Sequence, residues 1–173
     1  MGTQRGLPVI LSNAWKLVVP VALAAIGAMA RADDGMDGVP FAFGASVADV
    51  QKALDISTPP QSLPRNSTSV QGDSVLRSPI QGISTFFRKS GQMYLIRLDP
   101  PFYRSVAGMK FGDSRAAVVQ KLGNPQRKVQ GPNDRSEAYL YPINELIVRF
   151  DFDGEDNIER MMVFPAGGMT RIK

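Results

Sequence analysis

Apolar residues recur at intervals of three and four positions in two short segments of this chain, 43–54 and 111–122. Because this spacing gathers them on one side of a helix, it predicts two short amphipathic helices. Ser46 and Ser114 stand before the apolar runs, where a serine oxygen can accept hydrogen bonds from the unpaired amides of a first helical turn. The apolar positions are Val47, Val50 and Leu54 in the first segment and Val118, Val119 and Leu122 in the second.

Alternation of apolar and polar residues after each helix predicts antiparallel strands. In the clearest run, Leu146, Val148 and Phe150 alternate with Ile147 and Arg149. The first set is expected to face the helices and the second set to face away from them. Further strands are predicted over 83–88, 93–98, 138–141 and 158–164.

The two helical segments also resemble each other in sequence. Residues 43–54 and 111–122 agree at six of twelve positions at an offset of 68, and 94–99 matches 146–151 at an offset of 52. Two matches in the same order indicate a duplicated unit. The pattern predicts an α+β fold of two tandem repeats, each a short helical segment packed on an antiparallel sheet.

The repeat divides the chain after a leader into two units, 33–106 and 107–173. The two offsets differ by 16 residues, which we assign to an insertion within 57–82 of the first unit. This segment is rich in Ser, Pro, Gln and Thr, a composition typical of a long surface loop.

The first 32 residues have the pattern of a cleavable signal peptide. Arg5 and Lys16 precede an apolar stretch over 17–30, and the stretch closes on the small-x-small sequence of 30–32. The alternative is an uncleaved membrane anchor, but the stretch is shorter than the ~20 residues that span a bilayer. We therefore predict export, cleavage after Ala32, and no stable membrane anchor afterwards.

Removal of this leader changes the charge of the protein. The leader holds three basic residues and no acidic ones, so the mature chain carries 17 basic and 16 acidic side chains. No run of basic residues remains that could neutralise several phosphates at once. The composition therefore argues against nucleic acid as a partner.

The chain contains no cysteine and no histidine. This excludes disulfides, zinc sites built on Cys or His, and the Ser–His and Cys–His pairs of nucleophilic catalysis. Carboxylate, Lys or Tyr chemistry is what remains for an enzyme, and no cofactor is expected.

An acidic cluster after the clearest strand permits two interpretations. Asp151, Asp153, Glu155 and Asp156 could supply oxygen ligands to calcium, but their spacing lacks the closing Glu of an EF-hand loop. A solvated hairpin turn explains the same residues, and we predict no metal site. A hydrolase with a pair of carboxylates remains an alternative, because their separation cannot be read from a sequence.

Several motifs of the second unit resemble the BamE (SmpA/OmlA) family. They lie at 108–114, 122–125 and 150–154, and the unit in tandem is similar to the β-lactamase inhibitor protein fold. The resemblance implies a short helical portion packed on one face of an antiparallel sheet. The chain lacks the acylated Cys of BamE-type lipoproteins and the disulfides of the inhibitor proteins, so neither membrane anchoring nor lactamase inhibition follows from it.

The strand pattern predicts a binding surface on the sheet face opposite the helices. Tyr, Arg and Met are enriched where proteins bind each other most tightly. The alternative is that a loop or the sheet of another chain covers this face for stability. The residues predicted to point outward are Met93, Leu95, Arg97, Tyr139, Tyr141, Ile147 and Arg149.

Together these observations predict an exported, non-catalytic module of the bacterial envelope or secreted space that binds another protein. It would act as an outer-membrane assembly accessory or as an enzyme-inhibitor-like protein. The alternative function is a small carboxylate-dependent hydrolase.

Overall fold

The computed structural model describes residues 36, 38–64, 72–131 and 136–167. The predicted signal peptide and its cleavage site lie outside the described residues. The described part contains helices α1 (Val47–Leu54) and α2 (Arg115–Leu122), and strands β1 (Gln61–Ser62), β2 (Ser74–Ser78), β3 (Ile83–Phe87), β4 (Met93–Leu98), β5 (Arg127–Gln130), β6 (Glu137–Ile143), β7 (Leu146–Phe152) and β8 (Ile158–Pro165).

These strands form one antiparallel sheet in the order β1-β2-β3-β4-β8-β7-β6-β5. Strands β1 to β4 run inward from one edge and β5 to β8 from the other, and the two groups join where Ile96 pairs with Val163. Because a free strand edge leaves amides and carbonyls unpaired, β4 and β8 each satisfy the other's open edge.

The predicted fold of two tandem repeats is therefore wrong. The described residues share one sheet of eight strands and one main core, to which Val50 of α1 and Val118 of α2 both belong. The strand match at an offset of 52 was also misleading. It paired β4, the fourth strand from one edge, with β7, the third strand from the other edge.

The two helices form where the apolar spacing predicted them, and their caps differ in detail. The Ser46 hydroxyl accepts from the Asp49 amide at 3.2 Å, and the Asp49 carboxylate accepts in return from the Ser46 amide. The Ser114 hydroxyl accepts from the Ala117 amide at 3.2 Å, with no acidic residue in that first turn. None of the helices among the described residues is long and apolar enough to span a membrane.

The composition of 57–82 had predicted one long surface loop, and that prediction is wrong. Strand β2 lies inside this segment and pairs with β3, and Val75 and Leu76 are each only 1% exposed. Val75 and Leu76 are buried on opposite sides of a short strand. The polar residues around them dominate the composition of the segment and hide this strand.

Candidate functional site

The sheet has one face toward the helices and an opposite face, which we call the far face. On the far face the strand register sets Arg97 of β4, Met162 of β8 and Arg149 of β7 side by side in one row. Leu140 of β6 continues the row. Strands β4, β8 and β7 thus place one arginine on each side of a methionine.

A second row of charged residues lies beside the first. Asp99 follows the end of β4, and Arg160 of β8 pairs in register with Asp151 of β7. The Asp99 carboxylate accepts from Arg97 Nε at 2.7 Å and from Arg160 Nε at 3.0 Å. One aspartate therefore holds two arginines on neighbouring strands.

Asp151 organises the other side of this network. Its side chain is 0% exposed, and its Oδ1 atom accepts from Arg149 Nε at 2.6 Å. Its Oδ2 atom has no hydrogen-bond partner among the described residues and lies 3.9 Å from Arg160 Nη1. A buried charge is costly unless it is paired, so Asp151 fixes Arg149 firmly in place.

Apolar side chains border the charged rows. Leu140, Ile147 and Phe164 are buried against one another, with Leu95, Val129 and Met162 packed partly buried beside them. This small second core stabilises the far face by burying apolar area, while the arginine side chains around it stay partly exposed, at 17–35%.

Four of the predicted site residues lie on the far face, as the alternation indicated. They are Leu95, Arg97, Ile147 and Arg149. Ile147 is only 2% exposed, so it belongs to the second core and offers no accessible surface. Leu95, Arg97 and Arg149 keep partial exposure, and their binding role stays a prediction.

Met93 was predicted on the wrong face. Phe86 pairs with Leu95, but Phe87 pairs with Met93, so Tyr94 is an extra residue in β4. A β-bulge of this kind breaks the alternation. Met93 consequently points into the main core and is 2% exposed.

Tyr139 and Tyr141 were also predicted to point outward and instead fill the main core. The Tyr139 ring packs edge-on against Phe152 with centroids 5.2 Å apart. The Tyr141 hydroxyl donates to the Gly123 carbonyl at 3.0 Å, and burial raises the pKa of this phenol, with a smaller contribution from Tyr139. Leu140, which lies between them on β6, points to the far face instead.

Arg160 and Met162 also lie on the far face, although neither was predicted there. Both lie on β8, a strand that was predicted but whose faces were not assigned. Their alternation with Met161 and Val163 was a usable signal, since those two residues are 0% exposed.

Asp153, Glu155 and Asp156 lie in the hairpin turn between β7 and β8, as the second interpretation held, but Asp151 lies within β7 and is buried. The Asp153 Oδ1 atom accepts from the amides of Glu155 and Asn157, both at 2.9 Å. Arg115 Nη2 lies 2.6 Å from Asp156 Oδ1. Across the described ranges, no three Asp or Glu side chains gather in a way that could hold a metal ion.

A cavity of about 320 Å³ opens at the end of the sheet where β2 meets β3. Its described lining includes Gln81, Phe102, Tyr103 and Arg104, with Arg104 as the charged member. The Arg104 Nε atom donates to the Tyr103 hydroxyl at 3.3 Å, and Tyr103 itself is 77% exposed. The described lining thus carries no carboxylate for acid–base catalysis.

No protein-family model and no curated protein sequence matches the chain. It is similar to the crystal structure of a DUF4309 family protein (YjgB) from Bacillus subtilis, with 12% identity, 70% of this chain and 78% of that chain covered, and a TM-score of 0.45. It is also similar to the crystal structure of an extracellular protein containing a SCP domain from Bacillus anthracis, with 8% identity and a TM-score of 0.56.

The second similarity covers 82% of this chain and 48% of the other, so the chain spans about half of that protein. At this identity the likeness shows the fold alone. Neither structure is described as BamE-like or inhibitor-like, and that resemblance stays a prediction.

Proposed function

We propose that this protein is an exported, non-catalytic module that binds another protein through the far face of its sheet. The observation that carries the proposal is the set of three arginines, Arg97, Arg149 and Arg160, each held by a carboxylate through its Nε atom. Arginine fixed through Nε has little conformational entropy left to lose on binding, and the terminal nitrogens of Arg97 have no partner among the described residues.

Two observations support export to the envelope or the secreted space. The leader pattern of residues 1–32 is typical of a signal peptide. The Bacillus anthracis protein with a similar fold is described as extracellular. Within that space, action as an outer-membrane assembly accessory or as an enzyme-inhibitor-like protein belongs to the proposal as well.

The hydrolase alternative gains no support from the described contacts. The two carboxylates closest to the far face, Asp99 and Asp151, both accept hydrogen bonds from arginine. These hydrogen bonds give both carboxylates a structural role in holding the arginines.

Site-specific crosslinking tests the proposed face. A photoreactive phenylalanine analogue replaces Leu95, which is half-buried on the far face, in cells that make the protein naturally. We expect a protein adduct on illumination, identified by mass spectrometry. The matched control places the same analogue at Lys52, an exposed residue of α1.

The two positions distinguish the possible outcomes. Adducts from Leu95 that are absent from Lys52 support the far face as the binding surface. Equal labelling at both positions, or adducts from Lys52 alone, would contradict it.

A further inference from the structure

The spacing of the far-face arginines restricts what a partner can present to them. Arg97 and Arg149 lie on strands separated by β8, with Met162 between them. Two strand spacings of ~4.8 Å put the backbones at these positions about 10 Å apart. A ligand that engages both must therefore carry two anionic groups at about this distance, with a group between them that tolerates methionine.

The charge of the central arginine–aspartate network favours carboxylates over a dense polyanion. The network contains three arginines and two aspartates, a net charge of one positive unit. A duplex nucleic acid carries one negative charge per ~1.7 Å, and Asp99 and Asp151 would repel it from the same surface. A pair of well-separated carboxylates instead brings one negative charge to each of Arg97 and Arg149, so it meets less repulsion from the two aspartates.

Some nitrogens of the arginines already donate hydrogen bonds within the protein, and the others remain for a partner. Arg97 and Arg149 both use Nε to hold an aspartate, and Arg149 Nη2 also donates to the Gln130 carbonyl at 3.3 Å. Within the described residues the terminal nitrogens of Arg97 have no hydrogen-bond partner. A planar guanidinium with free terminal nitrogens binds a carboxylate through two parallel hydrogen bonds.

We propose that the partner presents a helix with two acidic side chains seven positions apart and an apolar side chain between them. Seven residues of helix span about 10.5 Å, close to the separation of Arg97 and Arg149. The apolar side chain then packs on Met162, while the two carboxylates bind the arginines. This proposal rests on the far face being the protein-binding surface.

Fluorescence anisotropy with synthetic helical peptides tests it. The probe is a fluorescein-labelled peptide with Glu at two positions seven apart and Leu between them, added to the purified protein. The first comparison peptide replaces both Glu by Gln, and the second moves them to adjacent positions at unchanged composition. We expect the probe to bind at least tenfold more tightly than either comparison peptide.

Variants of the protein identify the residues involved. Arg97→Gln should weaken binding of the probe about tenfold, because it removes one charge-assisted pair. Arg149→Lys keeps the charge beside Asp151 but loses the planar guanidinium, so it should weaken binding while the fold persists. Arg77→Gln is the matched control, since Arg77 is exposed on the same face at β2 and donates to the neutral Gln61 side chain.

Each remaining outcome overturns this proposal. Equal binding of all three peptides, no binding of the probe, or equal loss with Arg77→Gln would each do so. Tighter binding of a 15-base-pair DNA duplex, lost in the same variants, would replace the acidic helix with a polyanion. If Leu95 crosslinks to a protein but the peptides do not discriminate, the binding face stands and the acidic helix fails.

Discussion

Asp151 shows how one residue can hold a candidate binding surface in shape. It is fully buried, and its two oxygens lie 2.6 Å from Arg149 Nε and 3.9 Å from Arg160 Nη1. Asp99 makes comparable contacts at 2.7 and 3.0 Å, but its side chain is 27% exposed. Because water screens the exposed ion pairs of Asp99 more than the buried pair of Asp151, the two aspartates should contribute differently to the free energy of unfolding.

Replacement of each aspartate by alanine measures this difference. Asp151→Ala should lower the free energy of unfolding by about 3 kcal/mol, since it leaves a poorly solvated guanidinium without its partner. Asp99→Ala should cost less than about 1 kcal/mol. Urea unfolding followed by circular dichroism gives both values. Similar small losses for the two variants would show that burial does not set the strength of the Asp151 pair.

Tyr141 links stability to alkaline pH. Burial raises the pKa of its phenol above the ordinary value of 10.0, so the folded state holds this proton more tightly than the unfolded state does. The stabilisation is complete below about pH 10 and is lost as the pH rises through the higher folded pKa.

Tyr141→Phe should therefore reduce the loss of stability on moving from about pH 9 to about pH 11. The variant should also be less stable by about 1 kcal/mol at neutral pH, because it lacks the hydrogen bond to the Gly123 carbonyl. Urea unfolding at the two pH values tests both effects. An alkaline loss as steep as in the unmodified protein would rule out Tyr141 as a contributor.

At the scale of the elements, the capping box of α1 is a local feature with a measurable effect. The Ser46 hydroxyl accepts from the Asp49 amide, and the Asp49 carboxylate accepts from the Ser46 amide and hydroxyl. A helix of eight residues depends strongly on its ends, because the amides before Val50 lack intrahelical partners.

Ser46→Ala should accordingly lower the free energy of unfolding by about 1 kcal/mol, whereas Ser46→Gly should cost only a few tenths of that. Ser57→Ala is the control, since Ser57 is exposed and lies outside both helices. Thermal unfolding ranks the three variants. An equal loss with Ser57→Ala and Ser46→Ala would show that the cap itself does not contribute to stability.

The strands show where pattern reasoning reaches its limit. Alternation assigned the faces of β7 correctly, because Leu146, Val148 and Phe150 lie in the main core. It failed for β4, where the bulge at Tyr94 reverses the face of Met93. A bulge depends on pairing with the neighbouring strand, which a single strand's sequence does not contain.

At the scale of the whole molecule, one sheet and one main core join both halves of the described chain. Leu76 of β2 and Val148 of β7 belong to the same core cluster although they lie on opposite sides of the β4–β8 junction. A core that spans both halves should unfold in one cooperative transition.

Leu76→Ala and Val148→Ala test this cooperativity. Each removes buried methyl groups, and Leu76→Ala should cost about 3 kcal/mol. Amide hydrogen exchange should show that either variant lowers protection in both β3 and β6. If Leu76→Ala instead left β6 fully protected, the two halves would unfold independently.

The sequence by itself determined the local features of this protein. Apolar spacing and serine caps placed α1 and α2, and alternation set Leu95, Arg97, Ile147 and Arg149 on one side of their strands. These features depend on neighbours along the chain, so they can be read from the chain. The absence of His and Cys likewise excluded whole classes of chemistry without any structure.

Only the tertiary structure decided how these parts combine. The pairing of β4 with β8 made one sheet out of two expected units, and it brought Asp99 to Arg160 across 61 positions of sequence. The register of β6 against β7 sent Tyr139 and Tyr141 inward and Leu140 outward. Edge pairing, register and bulges depend on contacts between distant segments, and no local pattern encodes which distant strand completes an open edge.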